Sequence, residues 1–149
     1  MDKKHPKVGV GVMITRDEKV LMGLRKGSHG EGEWSFPGGS VEWGESLFQT
    51  VIREAMEESG LVVSDLELIS VADEMRYIDS DGKQFLVLGF KANASSGEPK
   101  VMEPEKCERW DWFSLDSLPE NIFEGTRLTI ENYKNKNIYL ECRYENNKN

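Results

Sequence analysis

Arg53, Glu54, Glu57 and Glu58 crowd one short stretch of the chain, and three of these residues are carboxylates. If the stretch is helical, residues three and four apart share a face, so the three carboxylates project to one side. That side is expected to lie opposite the apolar positions of the same helix. Like charges at this spacing repel by roughly a few tenths of a kcal/mol per pair. A positive charge set between them removes the penalty. A hard divalent cation that prefers oxygen ligands suits the position, and Mg²⁺ would keep waters and bind substrate phosphates. The alternative is a solvated acidic face with Arg53 paired to Glu57, the commoner fate of a charge run on helix spacing alone.

The wider spacing changes that weighting. Gly39 is followed after five residues by Glu45. After seven more come Arg53, Glu54, Ala55, Met56, Glu57, Glu58, Ser59, Gly60 and Leu61. This resembles the signature of the Nudix hydrolase family, G-x5-E-x7-R-E-U-x-E-E-x-G-U. The strongly specified matches are Gly39, Glu45, Arg53, Glu54, Glu57, Glu58 and Gly60. Their chance agreement is on the order of 10⁻⁸ per starting position. Ala55 stands where a larger aliphatic is usual, and it remains apolar. The similarity runs from about Val8 to Phe123 and includes Arg25, Lys26, Gly27 and Ser28, then Phe36, Pro37 and Gly38, then Glu42 and Gly44. It also takes in residues 103–108 ahead of Trp110, Asp111 and Trp112. These stretches resemble one branch of the family, that of human nucleotide triphosphate diphosphatase 15 and plant Nudix hydrolase 1.

The resemblance implies an α/β fold, the Nudix α/β/α sandwich, with a mixed sheet between the box helix and a C-terminal helix. It implies hydrolysis of a nucleoside diphosphate linked to another group, with Mg²⁺ or Mn²⁺ as cofactor. Carried over to this chain, Glu54 and Glu58 are the principal metal ligands, Glu57 assists, and the carbonyl of Gly38 is a further ligand. Glu45 pairs with Arg53 and holds the loop against the helix. Glu54 is the first choice of general base. Glu105 or Glu108 is a candidate extra ligand or base, with a solvated loop carboxylate as the equal alternative. Arg25 corresponds to a basic residue near the phosphates, or else is a charge on a hairpin edge. Phe36 and Phe123 would line the base pocket, against the ordinary alternative of core packing. Glu124 departs from the branch, which has an aromatic there. The expected reaction is cleavage of (deoxy)nucleoside triphosphates to monophosphate and pyrophosphate, in nucleotide-pool housekeeping. The alternatives are an ADP-ribose or nucleoside-diphosphate-sugar pyrophosphatase, and a nucleotide-sensing domain without turnover. Relatives are often homodimers, which extends that option to this chain.

The elements that must position these residues can be read from periodicity. Val8, Val10, Val12 and Ile14 alternate, a strand signal over 7–16, with Gly9 and Gly11 on the face where something packs closely. Asp17 and Glu18 turn the chain into a second strand over 20–25. Residues 26–34 read as a polar, Gly-rich surface loop and 35–39 as a compact turn. Ser46 and Gln49 form a capping box for a helix over 47–59, with Leu47, Phe48, Val51, Ile52 and Ala55 as its apolar stripe and Gly60 as its stop. Strands follow over 66–75 and 84–92, joined by a turn at 79–82. A short strand over 110–113 and a second helix over 123–134 complete the order. Trp110 and Trp112 read as core residues, and His5 and His29 as surface residues.

Net charge is −8, from 19 basic and 27 acidic residues, which argues against a nucleic-acid polymer as partner. No apolar run is long enough to span a bilayer, and residues 1–5 show no signal-peptide pattern, so no membrane association is expected. Cys107 and Cys142 lack metal-ligand spacing and suit a reducing cytoplasm. The expectation is one domain over 1–149, with 143–149 as a disordered tail.

Overall fold

In the computed structural model, which describes residues 3–27 and 29–145, the alternation of β1 (Lys7–Arg16) separates two cores. Val10, Val12 and Ile14 face one side, Gly9, Gly11 and Met13 the other, as the two-residue period of a strand requires. β2 (Lys19–Arg25) returns antiparallel through Asp17 and Glu18, whose φ values of 50° and 63° are those of a tight two-residue hairpin turn.

The chain then forms β3 (Trp34–Ser35), β4 (Gly38–Ser40) and α1 (Leu47–Ser59), followed by β5 (Ser64–Glu74), α2 (Ile78–Asp81) and β6 (Phe85–Asn93). It closes with β7 (Cys107–Ser114), α3 (Glu124–Asn135) and β8 (Tyr139–Leu140). The sheet order is β3-β2-β1-β6-β5-β8, with β4 also on β1 and β7 also on β2. β1 runs parallel to β6, and β5 parallel to β8, while the other pairs are antiparallel, so the sheet is mixed. α1 packs Val51 and Ala55 on Val10, Val12 and Ile14, and α3 packs Ile130 with Met13 and Phe36 on the opposite face. That is the expected layering. α3 sits close to the sheet because Gly89 has no side chain: a Cβ there would lie 2.6 Å from Thr129 Cγ2.

α1 starts and stops where expected, with the reciprocal Ser46–Gln49 box and Gly60 in the left-handed region. Its apolar stripe is narrower than the sequence suggests. Val51 and Ala55 are buried, whereas Phe48 and Ile52 are about half exposed, at 52% and 48%. Glu54 takes a place on the buried face instead, so the carboxylates do not all stand opposite the stripe. The expected turn at 35–39 is two short strands, because Gly38 and Gly39 pair with Gly11 and Val10. Trp34 leaves the expected loop to pair with Leu24. The turn expected at 79–82 is the helical turn α2, capped by Gly82 at φ 63°. β8 lies beyond the elements the periodicity marks. No helix among the described residues is long and apolar enough to cross a membrane. The expected tail over 143–149 lies, from residue 146 on, outside the described residues.

Candidate active site

β4 is pressed between β1 and α1, and glycine is what allows it. A Cβ on Gly38 would stand 2.1 Å from the Val10 carbonyl oxygen, and one on Gly39 would stand 2.4 Å from Glu54 Oε1. The Glu54 carboxylate therefore lies directly against the Gly39 backbone. One turn later, Glu58 Oε2 accepts a hydrogen bond from Gly38 N–H at 3.0 Å. The two glycines and the two glutamates form one packed unit. Gly39→Ala is expected to displace the Glu54 carboxylate and lower turnover by about 10–100-fold. Steady-state kinetics beside a circular-dichroism check of folding will measure it.

Arg53 organises the rest of the helix face. Its Nε and Nη2 donate to the two oxygens of Glu45, at 2.7 and 2.9 Å, its Nη1 donates to Glu54 at 2.8 Å and Glu57 at 3.1 Å, and its Nη2 also reaches the Ser40 carbonyl at 3.1 Å. Glu45 also accepts from Thr50 Oγ1 and from Glu42 N–H, closing the loop onto the helix. Arg53 and Glu45 are thus positioning residues. The Arg53 hydrogen bonds hold the Glu45 carboxyl down at about 2. A carboxyl depressed in the folded state contributes stability above its ordinary value of about 4.5, and that contribution is lost as pH falls towards about 2. The melting-temperature difference between the wild type and Glu45→Gln is expected to narrow over that window in thermal melts between pH 6 and 2.

The acids of α1 do not share one environment. Burial pushes the Glu58 carboxyl up to about 8, opposed by the Gly38 N–H and reinforced by the charges of Glu54 and Glu103. Burial also pushes Glu54 up, opposed by Arg53. Glu57 is exposed and bound to Arg53. Among the described residues, no group of three or more His, Cys, Asp or Glu side chains is drawn together as a ready-made metal cage. The residues nonetheless fit a hard divalent cation. Glu54 and Glu58 are oxygen donors one helical turn apart, and each is desolvated and raised in pKa, a state that a nearby cation relieves.

Of these acids, Glu58 lines a cleft of about 610 Å³ whose wall also takes in Gly125, Thr126 and Thr129 of α3. Gly9 and Gly11 form part of its wall, so the glycine face of β1 opens space as well as taking a close neighbour: a Cβ on Gly9 would meet the Gly39 carbonyl oxygen at 3.3 Å. Arg25 links the acids to an aromatic region. Its charge is felt by Glu58, and its guanidinium lies over the Phe123 ring, 4.0 Å from the centroid. Burial lowers the Arg25 pKa. Tyr77 stacks near Phe123 at a centroid distance of 6.3 Å. Phe36 is buried in the core beneath α3 and also lines the cleft, with its N–H donating to Thr126 Oγ1 at 2.9 Å.

The cleft thus brings together Arg25, Phe36, Gly38, Glu58 and Phe123, with Glu54 packed behind Gly39. Glu105 lines it, whereas Glu108 is exposed on β7 and outside the lining. Several lining residues were not singled out from sequence. Glu103 faces the same acids, and its membership of the resembling 103–108 stretch was the available signal. His29 is not a plain surface residue: it lines the cleft, edge-on to Tyr77 at 4.8 Å, with Nδ1 3.1 Å from Asp81. Trp110 packs against the core from the cleft wall instead of lying within the core, and its buried Nε1 has no partner among the described residues. Glu74 and Tyr77 carry no sequence signal that marks them.

A family model described as the NUDIX domain matches residues 5–133. An ADP-ribose pyrophosphatase of Methanocaldococcus jannaschii is 31% identical, covering 89% of this chain and 76% of that protein. The NAD-capped RNA hydrolase NudC of Pseudomonas aeruginosa is 40% identical over 72% of this chain, which spans only 36% of its length. An oxidized purine nucleoside triphosphate hydrolase of Danio rerio is 32% identical over 72% of this chain and 66% of its own length. Among solved structures, a MutT NUDIX hydrolase from Burkholderia pseudomallei superposes with a TM-score of 0.81 at 36% identity, covering 87% of this chain and 98% of that one.

Proposed function

The chain belongs to the NUDIX family, and from that premise we propose that it hydrolyses (deoxy)nucleoside triphosphates to nucleoside monophosphate and pyrophosphate. The observation that carries this reading is the continuity of the cleft. It runs from Glu58 of α1, past Arg25, to the aromatic group of Phe123 and Tyr77. A phosphate chain at the acids and one base at the aromatic group would fill it. The similarity to the triphosphate hydrolase of Danio rerio adds support.

NUDIX hydrolases generally use divalent cations such as Mg²⁺. In this reading Glu54, Glu58 and the Gly38 carbonyl would hold the ion, with Glu57 assisting. When bound, such an ion neutralises phosphate oxygens and acidifies a water. Glu54 is the candidate general base; burial raises its carboxyl above the ordinary value, opposed by Arg53. Glu103 and Glu105, on the cleft wall, are the alternative positions for that role. Arg25 places positive charge beside the phosphates while its guanidinium braces Phe123 for stacking. Arg53 and Glu45 hold α1 and its preceding loop in register.

A second reading, cleavage of ADP-ribose or a nucleoside-diphosphate sugar, is favoured by the Methanocaldococcus jannaschii relative, which matches over three quarters of its length. The diphosphate chemistry of the acids serves both substrates. A panel of the eight common triphosphates, ADP-ribose and UDP-glucose with Mg²⁺ tests the choice. The expected result is the highest kcat/KM on a triphosphate. A higher value on ADP-ribose, yielding AMP and ribose phosphate, would replace the first reading by the second. Binding of nucleotides without turnover in Mg²⁺ or Mn²⁺ would point to a sensor instead.

A further inference from the structure

Three buried side-chain polar atoms have no hydrogen-bond partner among the described residues, and all three belong to residues lining the cleft: Glu74 Oε2, Tyr77 Oη and Trp110 Nε1. A buried polar group left unpaired costs about 1–3 kcal/mol. Such groups gathered at one cavity are therefore most simply explained by a ligand that pairs them. Glu74 is the most demanding of the three, because it is an acid with only 2% of its surface exposed. It ends β5, where Glu74 pairs with Phe85 across the sheet.

The geometry at Glu74 states what is missing. Its Oε1 accepts the backbone N–H of Arg76 at 2.9 Å, so Oε2 is the free atom. Gly125, at the start of α3, keeps the space before that atom open. A Cβ on Gly125 would stand 3.8 Å from the Phe123 ring and 3.9 Å from Glu74 Oε2. The Cε1 edge of Phe123 and the unpaired oxygen therefore border the same small volume. A flat heterocycle lodged against Phe123 in that volume would bring its edge towards Oε2, where a carboxylate oxygen can accept an N–H.

We propose that Glu74 is the specificity-determining residue of the site, its free oxygen accepting an N–H from the edge of a nucleobase stacked on Phe123. This rests on the reading of the cleft as a nucleotide site, and it adds the residue that reads the base. The Tyr77 hydroxyl, also unpaired among the described residues and on a residue lining the same cleft, is a second group a base could satisfy. The proposal separates bases with a free edge N–H from those whose edge is blocked. Substituting Gln at position 74 has a defined consequence. The amide oxygen must face the Arg76 N–H, which turns the NH₂ group towards the base and puts a donor where an acceptor stood.

The test measures binding of nucleoside monophosphates to the whole protein by calorimetry, without metal and without turnover. The best-bound of AMP, GMP, CMP and UMP is compared with the same compound methylated on its edge N–H groups. Blocking the edge is expected to weaken binding to the wild type by about 10–100-fold, the worth of a hydrogen bond to a charged group. In Glu74→Gln the same change is expected to weaken binding by less than about threefold, which the comparison of the two proteins separates from the bulk of the methyl groups. If Glu74→Gln does not fold, Glu74→Asp, whose carboxylate is one methylene shorter, is expected to lose most of the discrimination. Equal binding of free and blocked bases by the wild type overturns the proposal, as does discrimination that survives in the folded variant or failure of all four monophosphates to bind at millimolar concentration. Base discrimination without triphosphate hydrolysis would leave Glu74 in its role and remove the proposed activity. Hydrolysis without base discrimination would do the reverse.

Discussion

Replacing Glu58 by Gln is expected to lower kcat/KM on the preferred nucleotide by about 10³-fold while leaving the fold intact. The two parts of this expectation have separate causes. Gln keeps the size of the side chain, and its amide oxygen can still accept the Gly38 N–H that Glu58 accepts at 3.0 Å. Burial already resists the charge on Glu58, so removing that charge takes nothing from the apo fold. What disappears is half of the buried carboxylate pair that would hold a divalent ion. Charge stabilisation of several kcal/mol in phosphoryl transfer corresponds to roughly three powers of ten in rate. Steady-state kinetics over a Mg²⁺ series, with thermal melts of both proteins, will check both parts. Wild-type turnover with Glu58→Gln would show that the carboxylate has no part in the chemistry. A collapsed melt would show that Glu58 is structural.

The second large effect is on stability. Arg53→Ala is expected to lower the melting temperature by several degrees, because it removes the cation that joins Glu45, Glu54 and Glu57. Arg53 makes five hydrogen bonds, to Glu45, Glu54, Glu57 and the Ser40 carbonyl. Its loss strands Glu45 and Glu54, whose side chains are mostly buried, without their cation. Arg53→Lys is not expected to restore stability, because an ammonium cannot span both Glu45 oxygens and still reach Glu54. Melting curves of the three proteins will measure this. Activity is expected to fall with Arg53→Ala as well, through Glu54, which loses the contact that orients it.

How far these features were legible in the sequence differs from residue to residue. The helix carrying Arg53, Glu54, Glu57 and Glu58 was legible in its bounds because its capping box and its glycine stop are local signals. Its buried face differs from the apolar stripe, although helix geometry carries the difference. At about 100° per residue, Glu58 lies only about 20° round the helix from Val51, so it had to share the covered side. A hydrophobic pattern draws attention to Phe48 and Ile52 instead, and both are half exposed. The role of Gly38 and Gly39 is a tertiary fact, set by the Val10 carbonyl and the Glu54 carboxylate from other elements. No local pattern distinguishes a turn from two short strands that exist only because β1 lies beside them. The short helix α2 and the strand β8 are too brief for periodicity to show. Glu74 is the extreme case. In sequence it is one acid in the run Ala72, Asp73, Glu74, and only the burial of its free oxygen beside Phe123 sets it apart.

The most direct test of the whole account is the product of the wild-type protein on its best triphosphate with Mg²⁺, scored for pyrophosphate against orthophosphate. In the proposed reading the base lies at Phe123, the acids of α1 meet the phosphate chain, and cleavage falls between the first and second phosphates. The expected products are nucleoside monophosphate and pyrophosphate in equal amounts, with no turnover when the metal is chelated. Orthophosphate and a nucleoside diphosphate as the products, or full turnover in the presence of chelator, would contradict that reading.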